Sequence, residues 1–379
     1  MSESATFEMS RRSAELAAKG IDVINMAVGE PDFNTPRSIK DAAIDAIENN
    51  FTKYSPAAGY ASLKDAIVKK LQKENGLSYS KEEVIVSNGA KQSICNAILA
   101  LVDEGDEVII PAPYWVSYPQ MVRLAGATPI FIDAPISQGH KITPAQLEAA
   151  ITPRTRLLIL CSPCNPSGAV YSAKELEALA DVIKAHDGLT VISDEIYEHI
   201  NYTGRHASIA KAPGMKERTI IVNGVSKAYA MTGWRIGYIA APKWIVDACN
   251  KLQGQYTSGP GSISQKAAEA ALSGPQDEVA RMREAFRRRR DLIVRLMREI
   301  PGIEVSEPEG AFYLLPKVSA YYKGDITNST DLALYLLEHA HVATVAGEAF
   351  GAPDCIRLSY AISEDRIAEA VKRIKEALV

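Results

Sequence analysis

The sequence predicts an α/β protein: a large domain on a mostly parallel seven-stranded sheet covered by helices, with a smaller α+β domain beside it. Three observations predict this. Short apolar runs rich in Val and Ile alternate with longer amphipathic runs between about Val84 and Ala241. Those short runs are apolar at successive positions, as expected of strands buried on both faces. After about Gln276 the pattern changes to one long helical stretch followed by shorter strand candidates. Strand–helix alternation implies a doubly covered parallel sheet, and the mixed remainder implies a second, smaller unit.

The strand candidates are Val84–Ser87, Glu107–Ile110, Pro129–Ile132, Leu157–Cys161, Thr190–Ser193, Thr219–Asn223 and Ile236–Ala241, often bounded by Gly, Pro or Asp. Ile94, Ile98, Leu99 and Val102 recur at helical spacing. So do Leu176, Leu179, Val182 and Ile183, after the expected cap Ser172. Val279 to Ile300 reads as one helix halted by Pro301. Strands are expected at Ala311–Leu315 and Ile356–Ser359, and a final helix at Glu364–Leu378. Residues 36–278 then form the large domain, and residues 1–35 with 279–379 the small one.

Composition narrows the function. The chain has 379 residues, 47 % of them apolar, and a formal net charge of −4. No excess of positive charge points to nucleic acid or an anionic membrane. No apolar run reaches the length of a membrane span. The first twenty residues mix charges with alanines and lack the apolar core of a signal peptide. The five cysteines are odd in number and scattered, which predicts a reducing, cytoplasmic setting. Cys161 and Cys164 form a C-x-x-C without a second pair, and the histidines offer no partner spacing beyond His339 and His341. A closed zinc site wants four ligands. The pair therefore reads as small residues ending a buried strand, and no metal is expected. The Arg287–Arg290 run occupies consecutive helical positions that point in four directions, so it reads as a solvated or interface-facing helix.

The most informative stretch runs from Gly224 to Gly237, Gly-Val-Ser-Lys-Ala-Tyr-Ala-Met-Thr-Gly-Trp-Arg-Ile-Gly. It follows a predicted strand, so Lys227 sits at a strand's carboxyl end, where open α/β sheets place ligands. Gly224, Gly233 and Gly237 allow close backbone approach. A buried lysine that loses its proton can attack an aldehyde. Arg235 can clamp a phosphate through parallel hydrogen bonds. A Schiff-base lysine with a phosphate-clamping arginine is the minimal anchor for pyridoxal 5′-phosphate (PLP).

This segment resembles the cofactor-attachment signature of class I PLP-dependent aminotransferases, and the resemblance extends along nearly the whole chain, most like the bacterial aspartate aminotransferase branch. It implies PLP fold type I and a homodimer with active sites at the subunit interface. In Ser193-Asp194-Glu195-Ile196-Tyr197, Asp194 matches the carboxylate that keeps the pyridine nitrogen protonated, and Tyr197 the tyrosine bonded to the ring's phenolic oxygen. Asn165, in Cys164-Asn165-Pro166-Ser167-Gly168, matches the amide donor to that same oxygen and lies near the substrate carboxylate. Trp115 matches the aromatic stacked on the ring, also beside substrate. In Asn88-Gly89-Ala90-Lys91 the Gly89 and Ala90 amides match phosphate donors at a helix N-terminus. Many relatives carry a phosphate-binding hydroxyl three residues before the lysine. Gly224 stands there instead, which leaves open whether Ser226 replaces it. Tyr54 matches a tyrosine that crosses the dimer interface to the neighbour's cofactor phosphate.

Substrate recognition follows the same resemblance. Arg357 sits in an apolar strand, where it needs a partner: a structural ion pair or, by resemblance, the substrate α-carboxylate. Gly29 matches a backbone that closes over that carboxylate. Lys91 matches the second cation an acidic side chain needs. The implied substrates are amino acids and 2-oxo acids, with aspartate and 2-oxoglutarate favoured. Aromatic donors or prephenate are the alternative. The prephenate lysine of a few relatives has Ser2 near its place, so that activity is not carried over. A PLP lyase or synthase shares every cofactor residue. A DNA-binding regulator needs a domain ahead of Val28–Phe33, where fewer than thirty residues precede it.

Overall fold

The computed structural model describes residues 5–379. Its large sheet has seven strands, in spatial order Val84–Ser87, Gly237–Ala240, Thr219–Gly224, Thr190–Asp194, Thr155–Cys161, Glu107–Ala112 and Thr128–Asp133. All run parallel except Gly237–Ala240, which is antiparallel to both neighbours. The five inner strands are almost wholly buried because helices cover both faces. Thr128–Asp133, at an edge, is mostly exposed or half-exposed. The expected strands are all present, most of them a residue or two longer. Ser172 caps Ala173–Ala185 with a reciprocal Glu175 bond.

A three-stranded antiparallel sheet, Val345–Ala346, Ile356–Ser359 and Tyr313–Leu314, lies in the C-terminal part. The expected strand at Ala311–Leu315 shrinks to two residues, because Ala311 adopts a left-handed φ of 56°. Ile24–Asn25 pairs in parallel with Val342–Ala343, which brings the N-terminal segment to the C-terminal elements. The long helix spans Asp277–Arg298, and the last spans Glu364–Leu378 as expected.

The arginine run divides. Arg287 and Arg288 are exposed on the long helix. Arg289 is buried and grips Asp32 through two bonds of 2.7 and 2.9 Å, and Arg290 turns inward to the Pro308 carbonyl at 2.8 Å. The expectation of a solvated or interface-facing helix therefore fails for half the run. A two-residue offset on a helix is enough to move a side chain from solvent to the packed face.

Candidate active site

Register sets the site. Cys161 lies beside Asp194, Asp194 beside Val222, and Gly237 between Ser87 and Gly224. The carboxyl ends of four strands and the start of the antiparallel one thus meet at one edge of the sheet. The loops leaving that edge carry Trp115, Asn165, Lys227 and Arg235. A Cβ at Gly237 would fall 2.2 Å from the Ala90 amide nitrogen, and one at Gly224 within 2.9 Å of Gly237 Cα. Backbone stacked that closely admits no side chain, which accounts for glycine at both positions. Gly233 has open space around it, so the close approach expected there is not found.

A cavity of about 470 Å³ opens at this edge. Its wall brings together Gly29, Ala90, Lys91, Trp115, Asn165, Asp194, Tyr197, Ser226, Lys227, Arg235 and Arg357. Gly89 lies just behind it, as the N-cap of Ala90–Leu101, against the Arg235 guanidinium. Its amide is donated to Ser87 O at 2.8 Å, so the first helical amides to face the cavity begin at Ala90. Tyr54 is not in the wall and is 99 % exposed.

Lys227 Nζ donates to Gly29 O at 2.7 Å. Burial is the main cause that lowers its pKa to about 8; Arg357 and Arg235 add to it, while Glu30 and Asp194 oppose it. Asp194, buried at the cavity floor, accepts from Tyr118 Oη at 2.6 Å and from the Ile196 amide at 3.2 Å. Burial raises its pKa to about 6, against those two bonds. Tyr197 Oη bonds Tyr313 Oη at 2.7 Å. A Cβ at Gly29 would lie 2.1 Å from Tyr313 Oη, so only glycine threads the gap between Tyr313 and Lys227.

Arg357 is 2 % exposed. It donates to Asn165 Oδ1 at 3.0 Å and to Ala27 O, and its plane lies over Tyr313 and Phe350. No carboxylate pairs with it among the described residues, and its Nε is buried without a hydrogen-bond partner. The structural ion pair left open by the sequence is thus absent there. Arg235 donates to Thr232 O at 2.7 Å and weakly to Asn88 O at 3.4 Å, next to the helix N-terminus. Lys91 is exposed at the rim, with Nζ 5.0 Å from the Trp115 ring centroid. Its pKa is lowered by partial burial and by Arg235. Cys161 also lines the cavity, and Cys164 is buried in the turn beyond the strand; both are free thiols.

Sequence reasoning missed Tyr118, Tyr313 and Glu30. A tyrosine in an apolar strand or helix reads as core, and Tyr118 and Tyr313 are indeed buried. Only its spacing three residues after Trp115 could have marked Tyr118; the two rings meet edge to face at 5.4 Å.

No helix among the described residues is long and apolar enough to cross a membrane. The sequence profile of the aminotransferase class I and II family matches residues 21–374. A bifunctional aspartate aminotransferase and glutamate/aspartate-prephenate aminotransferase of Petunia hybrida is 53 % identical over 99 % of this chain and 81 % of its own. The solved aspartate aminotransferase of Rhizobium meliloti superposes with a TM-score of 0.95 at 47 % identity, over 100 % of this chain and 96 % of that one. The Thermus thermophilus aspartate aminotransferase solved with maleate gives 0.95 at 42 % identity, over 100 % and 97 %. A lysine of lowered pKa, a buried acid and an arginine that meets no carboxylate among the described residues, held at one sheet edge in a chain that matches along nearly its whole length, place this protein in the aminotransferase class I and II family.

Proposed function

We propose that this aminotransferase uses PLP to move the amino group of L-aspartate to 2-oxoglutarate, giving oxaloacetate and L-glutamate in two half-reactions at one site. The observation that carries the reading is Arg357: a buried guanidinium without a carboxylate partner among the described residues, in the same cavity as Lys227. A buried charge of that kind calls for an incoming anion, and a planar fork suits a carboxylate.

The residues present fit PLP. Lys227 Nζ reaches the free-base form around pH 8, well below an ordinary lysine, because burial disfavours its charge. Asp194 would stand against a protonated ring nitrogen, whose positive charge favours the ionised carboxylate. Asn165 and Tyr197 supply polar groups for the phenolic oxygen, and Trp115 a flat face for the ring. Arg235, Ser226 and the amides from Ala90 onward, with Gly89 shaping the turn, supply donors for a phosphate. When bound, PLP supplies an electron sink for negative charge developing at the substrate Cα. Arg357 and Asn165 orient the α-carboxylate, with the Gly29 backbone beside it. Lys227 Nζ then takes the Cα proton as general base.

Lys91 would receive the side-chain carboxylate of aspartate. The dicarboxylate maleate in the Thermus structure supports a second anion subsite in this fold. The bifunctional Petunia relative supports prephenate as a second partner. Lys91→Met tests the choice. It should lower kcat/KM for aspartate by about 1–3 kcal/mol, less than for a fully buried pair because Lys91 is exposed at the rim. An aromatic donor should change by less than about 0.5 kcal/mol, as for ordinary surface substitutions. Equal losses for both donors would mean that Lys91 serves the cofactor alone. Aspartate turnover is read as oxaloacetate through a coupled dehydrogenase.

The reading includes a cytoplasmic homodimer, with units at 36–278 and at 1–35 plus 279–379. Its support is Tyr54, whose 99 % exposure leaves it available to a neighbouring subunit. Two inactive proteins, Lys227→Ala and Tyr54→Asp, should regain activity after subunit exchange, since one heterodimer site then carries neither defect. Heterodimers that form without activity would assign Tyr54 to its own subunit.

A further inference from the structure

The segment Asp194-Glu195-Ile196-Tyr197-Glu198 has two faces. Asp194 and Tyr197 look into the cavity. Glu195 and Glu198 look away from it, yet are buried at 1 % and 6 % exposure. The backbone of this turn is held at several points: Ser162 N bonds Asp194 O, Glu195 N bonds Val222 O, Ile196 N bonds Asp194 Oδ1, Glu198 N bonds Glu195 O and Ile200 N bonds Tyr197 O. These bonds run mostly within the turn and to the neighbouring strands, and the two buried glutamates tie it to more distant elements.

Each glutamate meets its own set of partners. Glu195 accepts from Ser193 Oγ at 2.8 Å and Ser208 Oγ at 2.6 Å, and its other oxygen lies 2.9 Å from His206 Nε2. Glu198 accepts from Lys70 Nζ and from Asn75 Nδ2, the latter at 2.8 Å. Lys70 is itself 3 % exposed and also donates to Asn75 Oδ1 at 2.8 Å. Burial by itself would raise the Glu198 pKa, but the charges of Lys70, His199 and His206 outweigh it and hold the carboxyl ionised. Glu74, Glu198 and His199 bring ligand atoms close together, as do Glu195, Glu198 and His206. The Lys70 ammonium is bonded within the first of these groups and already supplies the counter-charge.

We propose that Lys70 and Glu198 are positioning residues for the reaction: their buried pair anchors the end of the helix Ala61–Lys70 to the turn that aims Asp194 and Tyr197 into the cavity. The inference deepens the proposed PLP reading and rests on it. The physical argument is one of cost. A buried ion pair contributes little net stability compared with packed apolar side chains. Its advantage is direction, since a carboxylate held by an ammonium and an amide has one place to be. The Glu195–His206 pair lies next to it and gives the same turn a second anchor.

The test replaces the pair with apolar side chains of similar length, Lys70→Met with Glu198→Met, so that no buried charge is left unpaired and the fold survives. Four quantities are read against wild type: melting temperature, the dissociation constant for PLP added to apoenzyme, and kcat and KM for aspartate at saturating PLP. The expected result is a melting temperature lowered by only a few degrees, since the buried Asn75 amide loses both partners, with PLP affinity down about tenfold. In the loaded enzyme, kcat falls at least about tenfold with KM within about threefold, as for a small misplacement of reacting groups. Wild-type PLP affinity and kcat in the double variant overturn the inference, whether or not its melting temperature falls. If the double variant fails to fold, Glu198→Gln alone is measured in the same way and judged by the same outcomes. A wild-type chain that binds no PLP overturns the site reading and this inference together, whereas a normal wild type beside an unaltered variant overturns this inference only.

Discussion

Lys227→Ala is expected to lower kcat by roughly 10³–10⁴-fold, the upper range for loss of a general base, while the protein still binds PLP without a covalent link. The motivation is the division of labour in the cavity. Among the described residues Lys227 Nζ is the one primary amine at the floor near Asp194, whereas Asp194, Arg235, Trp115 and the Ala90–Leu101 helix start offer holding contacts that do not depend on it. Dialysis followed by an absorbance scan measures retention, and the coupled oxaloacetate assay measures turnover. Near-normal steady-state activity in the variant would sink the assignment. The wild type carries a companion expectation. Covalent loading needs neutral Lys227, whose pKa is lowered to about 8. The loading rate of apoenzyme should therefore climb with pH through about 8 and level off above it. A rate that does not change across that range would remove the lysine from the step.

Arg357→Leu should cost about 2–5 kcal/mol in kcat/KM, the range for truncating one partner of a buried, hydrogen-bonded charge pair. Unlike Lys91→Met, the loss should be the same for aspartate and for an aromatic donor, because every amino acid carries the α-carboxylate. Arg357→Lys should recover only part of it. An ammonium cannot reproduce the fork that now spans Asn165 Oδ1 and Ala27 O. PLP affinity should hold in both variants, since the proposed reading assigns Arg357 to the substrate and not to the cofactor. A variant that loses PLP and substrate binding equally would show that Arg357 organises the whole pocket rather than one carboxylate.

Much of this site is legible in the primary structure. Asp194 ends a strand, Lys227, Asn165 and Trp115 follow one and Arg235 precedes one, and a strand buried on both faces announces itself as a short apolar run. The cavity then collects residues the chain places at the same edge. Other features carry no local signal. Ile24–Asn25 and Val342–Ala343 are two residues each, too short for any period to show. Tyr118 and Tyr313 read as core because they are core, with one hydroxyl each turned to Asp194 or Tyr197. Arg357 left two partners open, since a sequence shows that a buried charge needs an anion but not whether one is nearby.

The sequence by itself determined the strand and helix succession, the covered parallel sheet and the residue types at its carboxyl edge, all of which depend on neighbours a few positions apart. The tertiary structure decided what depends on distant neighbours. It set Gly29 O against Lys227 Nζ, 198 residues away, and Lys70 against Glu198, 128 residues away. It left Arg357 without a carboxylate among the described residues and, in an arginine run that periodicity assigned to solvent or an interface, buried Arg289 and turned Arg290 inward. The physical reason is that burial, and with it pKa and charge pairing, belongs to a place in space, and only folding brings together the groups that share one.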